Sequence, residues 1–248
     1  MQPDLADVLR ADQGTRPWRP DEDGIWDAMG PHRAQRTLAQ LSNLVPPTPQ
    51  LYERLWRVRS VSLLSRGALT LADELAELRA VMPTVGIVAD IGCSEGLYAR
   101  TVAACGPTVV AVDHSRPFLR RVRMHAGALP VVAVRALAQH LPIAEASLDG
   151  VMIGGSLNEI GDMAAAAGEM ARVAKPGARL FSMSLVHAAS RPGRLVQTLV
   201  RPTGIVFPTV ARTLDLYERA GFRIDSHALD GIVLRIAGTR TNAAAVTS

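Results

Sequence analysis

From residue 85 onward, short β-branched runs alternate with segments of helical periodicity, and this alternation constrains the chain more than any other feature. Val85 to Ile91, Thr108 to Val112, Val131 to Val134, Leu148 to Ile153 and Ala178 to Leu185 are five strand candidates, each separated from the next by a helical pattern. The alternation is the signature of a parallel, doubly wound α/β sheet. The C-terminal end departs from it. Phe222 to Leu229 and Ile232 to Ala237 are two strands joined at Asp230-Gly231, a hairpin signal, so the sheet should close with an antiparallel pair. A nicotinamide-type domain would continue with parallel strands instead.

Composition narrows the class. The chain has 248 residues, 48% of them hydrophobic, enough to bury the core of one domain with an appendage. The formal net charge of +4 invites a polyanion as partner, but the basic residues, all arginine except Lys175, are dispersed among acids. Cys93 and Cys105 cannot form a disulfide framework, so a reducing cytoplasm is the expected location. Asp4, Asp7 and Asp12 stand where a secretory signal would need an apolar core. No run reaches the roughly 18 to 20 apolar residues of a membrane span.

The first fifty residues are broken by Pro17, Pro20, Pro31, Pro46, Pro47 and Pro49. Ala34, Leu38, Leu41 and Val45 share one helical face. Thr48-Pro49 reads as a second helix start, with Leu51, Leu55 and Val58 continuing a face up to Gly67. Thr70 with Asp73 predicts a capping box, followed by the stripe Leu71, Leu75, Leu78 and Met82 and a stop at Pro83. The expected organisation is a helical extension over 1–84, an α/β domain over 85–240 and a flexible tail over 241–248.

Asp90-Ile91-Gly92-Cys93-Ser94-Glu95-Gly96-Leu97-Tyr98 follows the first of the five strands and opens a helix. Gly92 and Gly96 allow a tight turn and close approach of a ligand, and the helix start offers unpaired N–H groups. The bland alternative is a plain glycine-containing strand-to-helix turn. The next strand ends in Val110-Ala111-Val112-Asp113-His114-Ser115, which puts an acid where it can accept both hydroxyls of a ribose.

On these residues the sequence resembles the class I S-adenosylmethionine-dependent methyltransferases, in particular the quinone-type and natural-product small-molecule branch. The first family motif matches Asp90 to Gly96, with Ser94 where a middle glycine is common, and the second-strand acid matches Asp113. Ser147 to Met152 matches the fourth strand, and Lys175-Pro176-Gly177-Ala178 matches the turn after the next helix. The resemblance covers residues 85 to 237. It implies a Rossmann-like seven-stranded sheet of order 3-2-1-4-5-7-6 with strand 7 antiparallel, S-adenosyl-L-methionine as cofactor and a small-molecule acceptor. The implied cofactor set is Asp90, Gly92, Ser94, Gly96, Asp113, His114, Leu137, Ala138 and Gly154. An N-terminal extension in this family often covers the cleft, so Trp18, Trp26, Trp56 and Tyr52 belong either to a substrate lid or to the anchoring of the extension on the domain. Arg54, Arg57 and Arg59 would meet an acidic substrate or lie on a solvated face, and the insertion Arg191 to Pro208 would complete the acceptor pocket.

One position departs from the family pattern. Leu137, in Arg135-Ala136-Leu137-Ala138-Gln139-His140-Leu141-Pro142, stands where an acid usually receives the adenine amino group. Loss of that hydrogen bond weakens binding by roughly five-fold to a hundred-fold if nothing replaces it. The backbone of Leu137 and Ala138, or the Leu137 side chain against the ring, would be the replacement, and His140 would touch the cofactor edge.

Methyl transfer from a sulfonium is an in-line displacement, so positioning in a dry pocket is the main task and a base is needed only for an acceptor that must lose a proton. The candidate bases are His187 and Glu159, with Asn158 beside the latter; for each, the alternative is a capping or solvated group. The expected activity is methyl transfer to O or C of a small organic acceptor. The alternative is a protein of the same fold that binds the cofactor without methylating, a cyclase or a regulator. An RNA methyltransferase is a weaker alternative, because Gly154-Gly155-Ser156-Leu157 replaces the Asn/Asp-Pro-Pro-aromatic tetrad of amino-methylating enzymes. No metal ligands are expected.

Overall fold

The computed structural model describes residues 8–9, 18–29 and 58–242, the side chains of 58–60 excepted. The helix face at Ala34 to Val45, the start at Thr48-Pro49, Tyr52, Trp56, Arg54 and Arg57 lie outside the described residues, as does most of the expected tail.

Eight strands form one sheet: β1 (Ile25–Asp27), β2 (Ile87–Ile91), β3 (Thr108–Asp113), β4 (Val131–Arg135), β5 (Leu148–Gly154), β6 (Ala174–Leu185), β7 (Phe222–Asp230) and β8 (Val233–Arg240). Their order is β1-β4-β3-β2-β5-β6-β8-β7. Strands β1 to β6 pair in parallel, and β8 runs antiparallel to both β6 and β7. Without β1 this is the expected order 3-2-1-4-5-7-6. The correction is the eighth strand. Residues 1–84, expected to be helical, also supply a parallel edge strand, Ile25 pairing with Ala133 and Asp27 with Arg135. Three residues in a proline- and acid-rich segment carry no periodicity, so β1 has no signal of its own.

The all-buried pattern of β2 follows from helices on both faces of the sheet. Ile87, Ala89 and Ile91 point into one apolar cluster with Val110, Val112, Val151 and Ile153, whereas Val88, Val109, Ala111 and Met152 point into the other. The helices are α1 (Val58–Leu64), α2 (Leu71–Val81), α3 (Leu97–Ala103), α4 (Arg116–Ala126), α5 (Met163–Val173), α6 (Arg191–Val200) and α7 (Val210–Ala220). The capping box of α2 forms as predicted, with Asp73 N–H donating to the Thr70 hydroxyl and Thr70 N–H to the Asp73 carboxylate. Glu74 interrupts the predicted apolar stripe, yet it is fully buried and accepts from the Tyr98 hydroxyl.

The hairpin turn lies one residue later than predicted. Asp230 pairs with Val233, leaving Gly231-Ile232 as the two-residue loop, with φ of +61° at Gly231. That is the pattern of a turn with glycine at its first central position. A Cβ at Gly231 would lie 2.2 Å from the Leu64 carbonyl oxygen, which accepts instead from Ile232 N–H. The hairpin tip is thereby locked against α1.

At the opposite edge, β1 is held by charge. Arg116 at the start of α4 pairs with Asp21, with Asp23 at 3.3 Å and with Asp27 at 3.2 Å. Arg135 pairs with Asp27 at 2.9 Å. Trp18 and Trp26 meet edge to face with ring centroids 5.1 Å apart and pack on the sheet core. Both therefore serve as edge packing, and neither lines the cleft described next.

Candidate cofactor cleft

The site is built where β2 and β3 end side by side. After Ile91 the chain turns back through Gly92, Ser94 and Gly96, with φ of +65°, +49° and +76°. Gly92 has no alternative: a Cβ there would lie 2.6 Å from Ser156 Cβ. Ser94 holds a left-handed conformation at the position where a glycine is common, so the serine bears the strain that a glycine would avoid. The turn is tied to β3 by Cys93 N–H donating to the Val112 carbonyl at 3.0 Å and Ser94 N–H to Asp113 Oδ2 at 2.9 Å.

Asp113 is 6% exposed. Its Oδ1 accepts from Ser115 N–H at 2.8 Å, and with the Ser94 and His114 amides this leaves about one of the roughly four acceptor positions of a carboxylate. Burial raises its pKa, against the opposing pull of His114 and of the Ser115 and Ser94 amides. The His114 ring nitrogen Nδ1 lies 3.4 Å from Asp113 Oδ1. Beside them, burial and the Asp113 and Asp90 carboxylates push the Cys93 thiol well above its ordinary range, which leaves it a neutral packing group.

These residues face an open-mouthed cleft with about 590 Å³ between its walls, mouth included. Gly92, Ser94, Asp113 and His114 form one side, and Leu137 and Ala138 the other. Glu159 lines it as well. Phe118, Gln139 and Ser156 line it too, although no sequence motif singled them out. Leu137 is 9% exposed, and its carbonyl accepts from His140 N–H at 3.0 Å. The segment after β4 is fixed from α5, where Glu169 accepts from Leu141 N–H at 2.8 Å and Arg172 donates to the Leu141 and Ile143 carbonyls.

Four predicted site residues lie elsewhere. Asp90 is buried below the turn, and its Oδ2 accepts from Ala99 N–H at 3.0 Å in the first turn of α3. The acid thus satisfies an amide of the helix start that the sequence suggested as a ligand donor. Gly96 begins α3, with Val122 3.1 Å from where its Cβ would stand. Gly154 makes room for the Tyr98 ring, which a Cβ would meet at 2.6 Å. His187 is exposed and lines a second cavity of about 1760 Å³, mouth included, between α5, α6 and α7.

His187 and Glu159 are therefore not brought together. Between the two spaces runs the turn Ser156–Glu159, fastened by Asn158: its Nδ2 donates to the Leu185 and Val206 carbonyls at 2.7 and 2.6 Å, and its Oδ1 accepts from Leu185 N–H. Asn158 is a structural clamp. Among the described residues, no group of three or more His, Cys, Asp or Glu is placed to hold a metal ion, and no helix is long and apolar enough to cross a membrane.

The strand order with its antiparallel β8, together with the Gly92–Gly96 turn against Asp113, defines a class I methyltransferase-type α/β fold. Residues 89–182 match the family model described as a methyltransferase domain. Among curated proteins, a demethylmenaquinone methyltransferase of Clavibacter sepedonicus is 36% identical over 154 residues, which cover 58% of this chain and 61% of that protein. An uncharacterized methyltransferase of Mycobacterium bovis is 30% identical over 106 residues, covering 43% of this chain and 54% of that protein. The chain spans about half the length of the first curated relatives it matches. Among solved structures, an S-adenosylmethionine-dependent methyltransferase from Methanosarcina mazei aligns with a TM-score of 0.60 at 16% identity, covering 66% of this chain and 97% of that one. The likeness to that structure is one of fold.

Proposed function

We propose that this protein is an S-adenosylmethionine-dependent methyltransferase acting at O or C of a small organic acceptor. The observation that carries the reading is Asp113: a buried carboxylate at the tip of β3, facing a cleft across from a turn in which Gly92 has no room for a side chain. Those residues fit the cofactor. Asp113 keeps acceptor capacity for a ribose hydroxyl, Gly92 and Ser94 allow close backbone approach, and Leu137 and Phe118 offer apolar surface to a flat base. When bound, the cofactor would supply an electrophilic methyl group on a sulfonium, whose sulfur departs as a neutral thioether without help from an acid.

The chain's own part is positioning and the exclusion of water. Glu159, which lines the same cleft, is the group we assign to take a proton from an acceptor that must lose one. His187 opens on the other cavity and would serve only an acceptor that approaches from that side. Relatives named demethylmenaquinone methyltransferase and ubiquinone biosynthesis O-methyltransferase favour a quinone-like ring as the acceptor class.

Titration calorimetry with S-adenosylmethionine tests the reading. Wild type should give a binding heat, and Asp113→Ala should weaken binding by about 1.5 to 3 kcal/mol, roughly ten-fold to a hundred-fold, with the fold retained and the thermal midpoint lowered because the Ser94 and Ser115 N–H groups lose their acceptor. No heat for wild type at millimolar ligand would sink the proposal. Binding without transfer to any quinone-like acceptor would favour the cofactor-binding, non-methylating alternative.

A further inference from the structure

The cavity between α5, α6 and α7 shares no lining residue with the cofactor cleft. Its α6 wall is fastened by buried Gln197, whose Oε1 accepts from Ala188 N–H and whose Nε2 donates to the Val186 carbonyl, each at 2.9 Å. Its α5 wall is kept low by Gly161, Ala164 and Gly168. Gly168 lies in the middle of α5, where glycine is less favourable than alanine, and a Cβ on it would meet nothing within 4 Å. No neighbouring group of the protein needs that space, so the missing side chain serves only to widen the cavity. Met163, Phe207 and Leu216, each half-buried, give it apolar surface. A concave space with an apolar wall and a few polar groups is the form that small-molecule sites take.

Charge selects the ligand. Four arginines line the cavity, Arg194, Arg201, Arg212 and Arg219, against two acids, Asp162 and Asp215. Both acids are engaged within the protein. Asp215 Oδ1 accepts from Arg219 Nε at 2.8 Å, and Asp162 Oδ1 accepts from Ala165 N–H at 2.9 Å as the cap of α5. Arg194 donates to the Ala189 carbonyl. The guanidinium groups of Arg201 and Arg212 have no hydrogen-bond or carboxylate partner among the described residues. With His187 neutral, four arginines against two aspartates leave an excess of two positive charges. Guanidinium forks match the oxygens of a phosphate, and a phosphate monoester brings two negative charges where a monocarboxylate would bring one. We propose that this cavity is a second ligand site, for a small phosphate monoester whose apolar, ring-sized body lies along Phe207 and Leu216. The inference rests on this cavity alone and is independent of the acceptor assigned above.

Titration calorimetry of the full chain with phenyl phosphate tests it. Wild type should bind with a dissociation constant below about 1 mM, and phenol and inorganic phosphate should each bind at least about ten-fold more weakly. The double variant Arg201→Gln/Arg212→Gln, at two exposed positions, should weaken phenyl phosphate binding by about ten-fold or more and leave the thermal midpoint and the cofactor calorimetry at wild-type values. Gly168→Leu fills the cavity from α5 without changing charge. It should cause a loss of about ten-fold or more, with a thermal midpoint at or above that of wild type because the helix no longer carries a central glycine. Should Gly168→Leu fold poorly, the arginine pair decides. No heat with phenyl phosphate at about 10 mM, or an affinity unchanged in either folded variant, overturns the proposal. Phenol binding as tightly as phenyl phosphate overturns the anion, and inorganic phosphate doing so overturns the apolar body. Displacement of phenyl phosphate by S-adenosylmethionine overturns the second site by placing the ligand in the cofactor cleft.

Discussion

Leu137 is the residue at which this chain's cleft departs most from the pattern it otherwise follows. It stands where an acid usually receives an adenine amino group, and the structure puts it on the wall of the cleft. The segment around it keeps its shape without an acid, because His140 N–H is satisfied by the Leu137 carbonyl and Ala136 N–H by the Asp113 carbonyl at 3.1 Å. The substitution Leu137→Asp separates the two roles open to the side chain. If the cofactor base approaches this wall, calorimetry should show binding tighter by about 1 to 3 kcal/mol, the range from a neutral to a charge-assisted hydrogen bond. Unchanged affinity with a lowered unfolding midpoint would make Leu137 a packing residue only. The Gly92 and Asp113 parts of the site were readable from spacing, because tight turns and strand tips are local features. Asp90 was not: its type and position fit a ligand-binding acid equally well, and only the path of α3 shows that Ala99 N–H takes its carboxylate.

At the scale of elements, β1 is a strand made stable by its surroundings. Three residues paired on one side contribute little by themselves, so the segment depends on the charged cluster of Arg116 with Asp21, Asp23 and Asp27, reinforced by Arg135. These side chains are about one-quarter to one-third exposed, which makes the cluster sensitive to salt. Arg116→Ala should therefore release β1 and leave the sheet intact. Hydrogen exchange at residues 25–27 should rise by at least about ten-fold, a local loss of roughly 1.4 kcal/mol, with exchange in β2 and β3 unchanged. Equal loss of protection in β4 would show instead that β1 is integral to the sheet. The same edge bears on the cleft, because Arg135 also donates to the His114 carbonyl at 3.2 Å. The capping box of α2 was legible because its residues are three apart. The pairing of β1 with β4 joins residues more than a hundred positions apart, and no local pattern records it.

Across the whole molecule, one helical layer is linked to the sheet through a pair of buried hydroxyls. Tyr217 of α7 is fully buried and donates its phenolic O–H to Ser182 Oγ of β6 at 2.8 Å. Burial raises its pKa above the usual value near 10, outweighing the Ser182 hydrogen bond. A raised folded-state pKa means the folded chain holds the proton more tightly than the unfolded one. Its contribution is therefore complete below pH ~10 and lost as pH rises toward the folded-state value. Urea unfolding of wild type should show stability falling above pH ~10, and Tyr217→Phe should flatten that fall while losing about 1 kcal/mol at neutral pH. A wild-type profile identical to that of Tyr217→Phe would place the alkaline transition on other groups.

Features that arise within a few residues or from a repeated period are legible along the chain: the alternation that makes a parallel sheet, the antiparallel close after residue 222, the turn that needs Gly92 and the acid at the tip of β3. Which way side chains of ambiguous character face is settled by contacts between distant segments. His187 and Glu159 look equivalent as candidate bases along the chain but open on different cavities, Gln197 is buried while Leu195 and Leu199 face outward, and Glu74 lies in the core against Tyr98. For Gln197 and Glu74 the physical reason is the same. Burial of a polar group is tolerated wherever partners from distant segments satisfy it, and those partners exist only once the sheet has assembled.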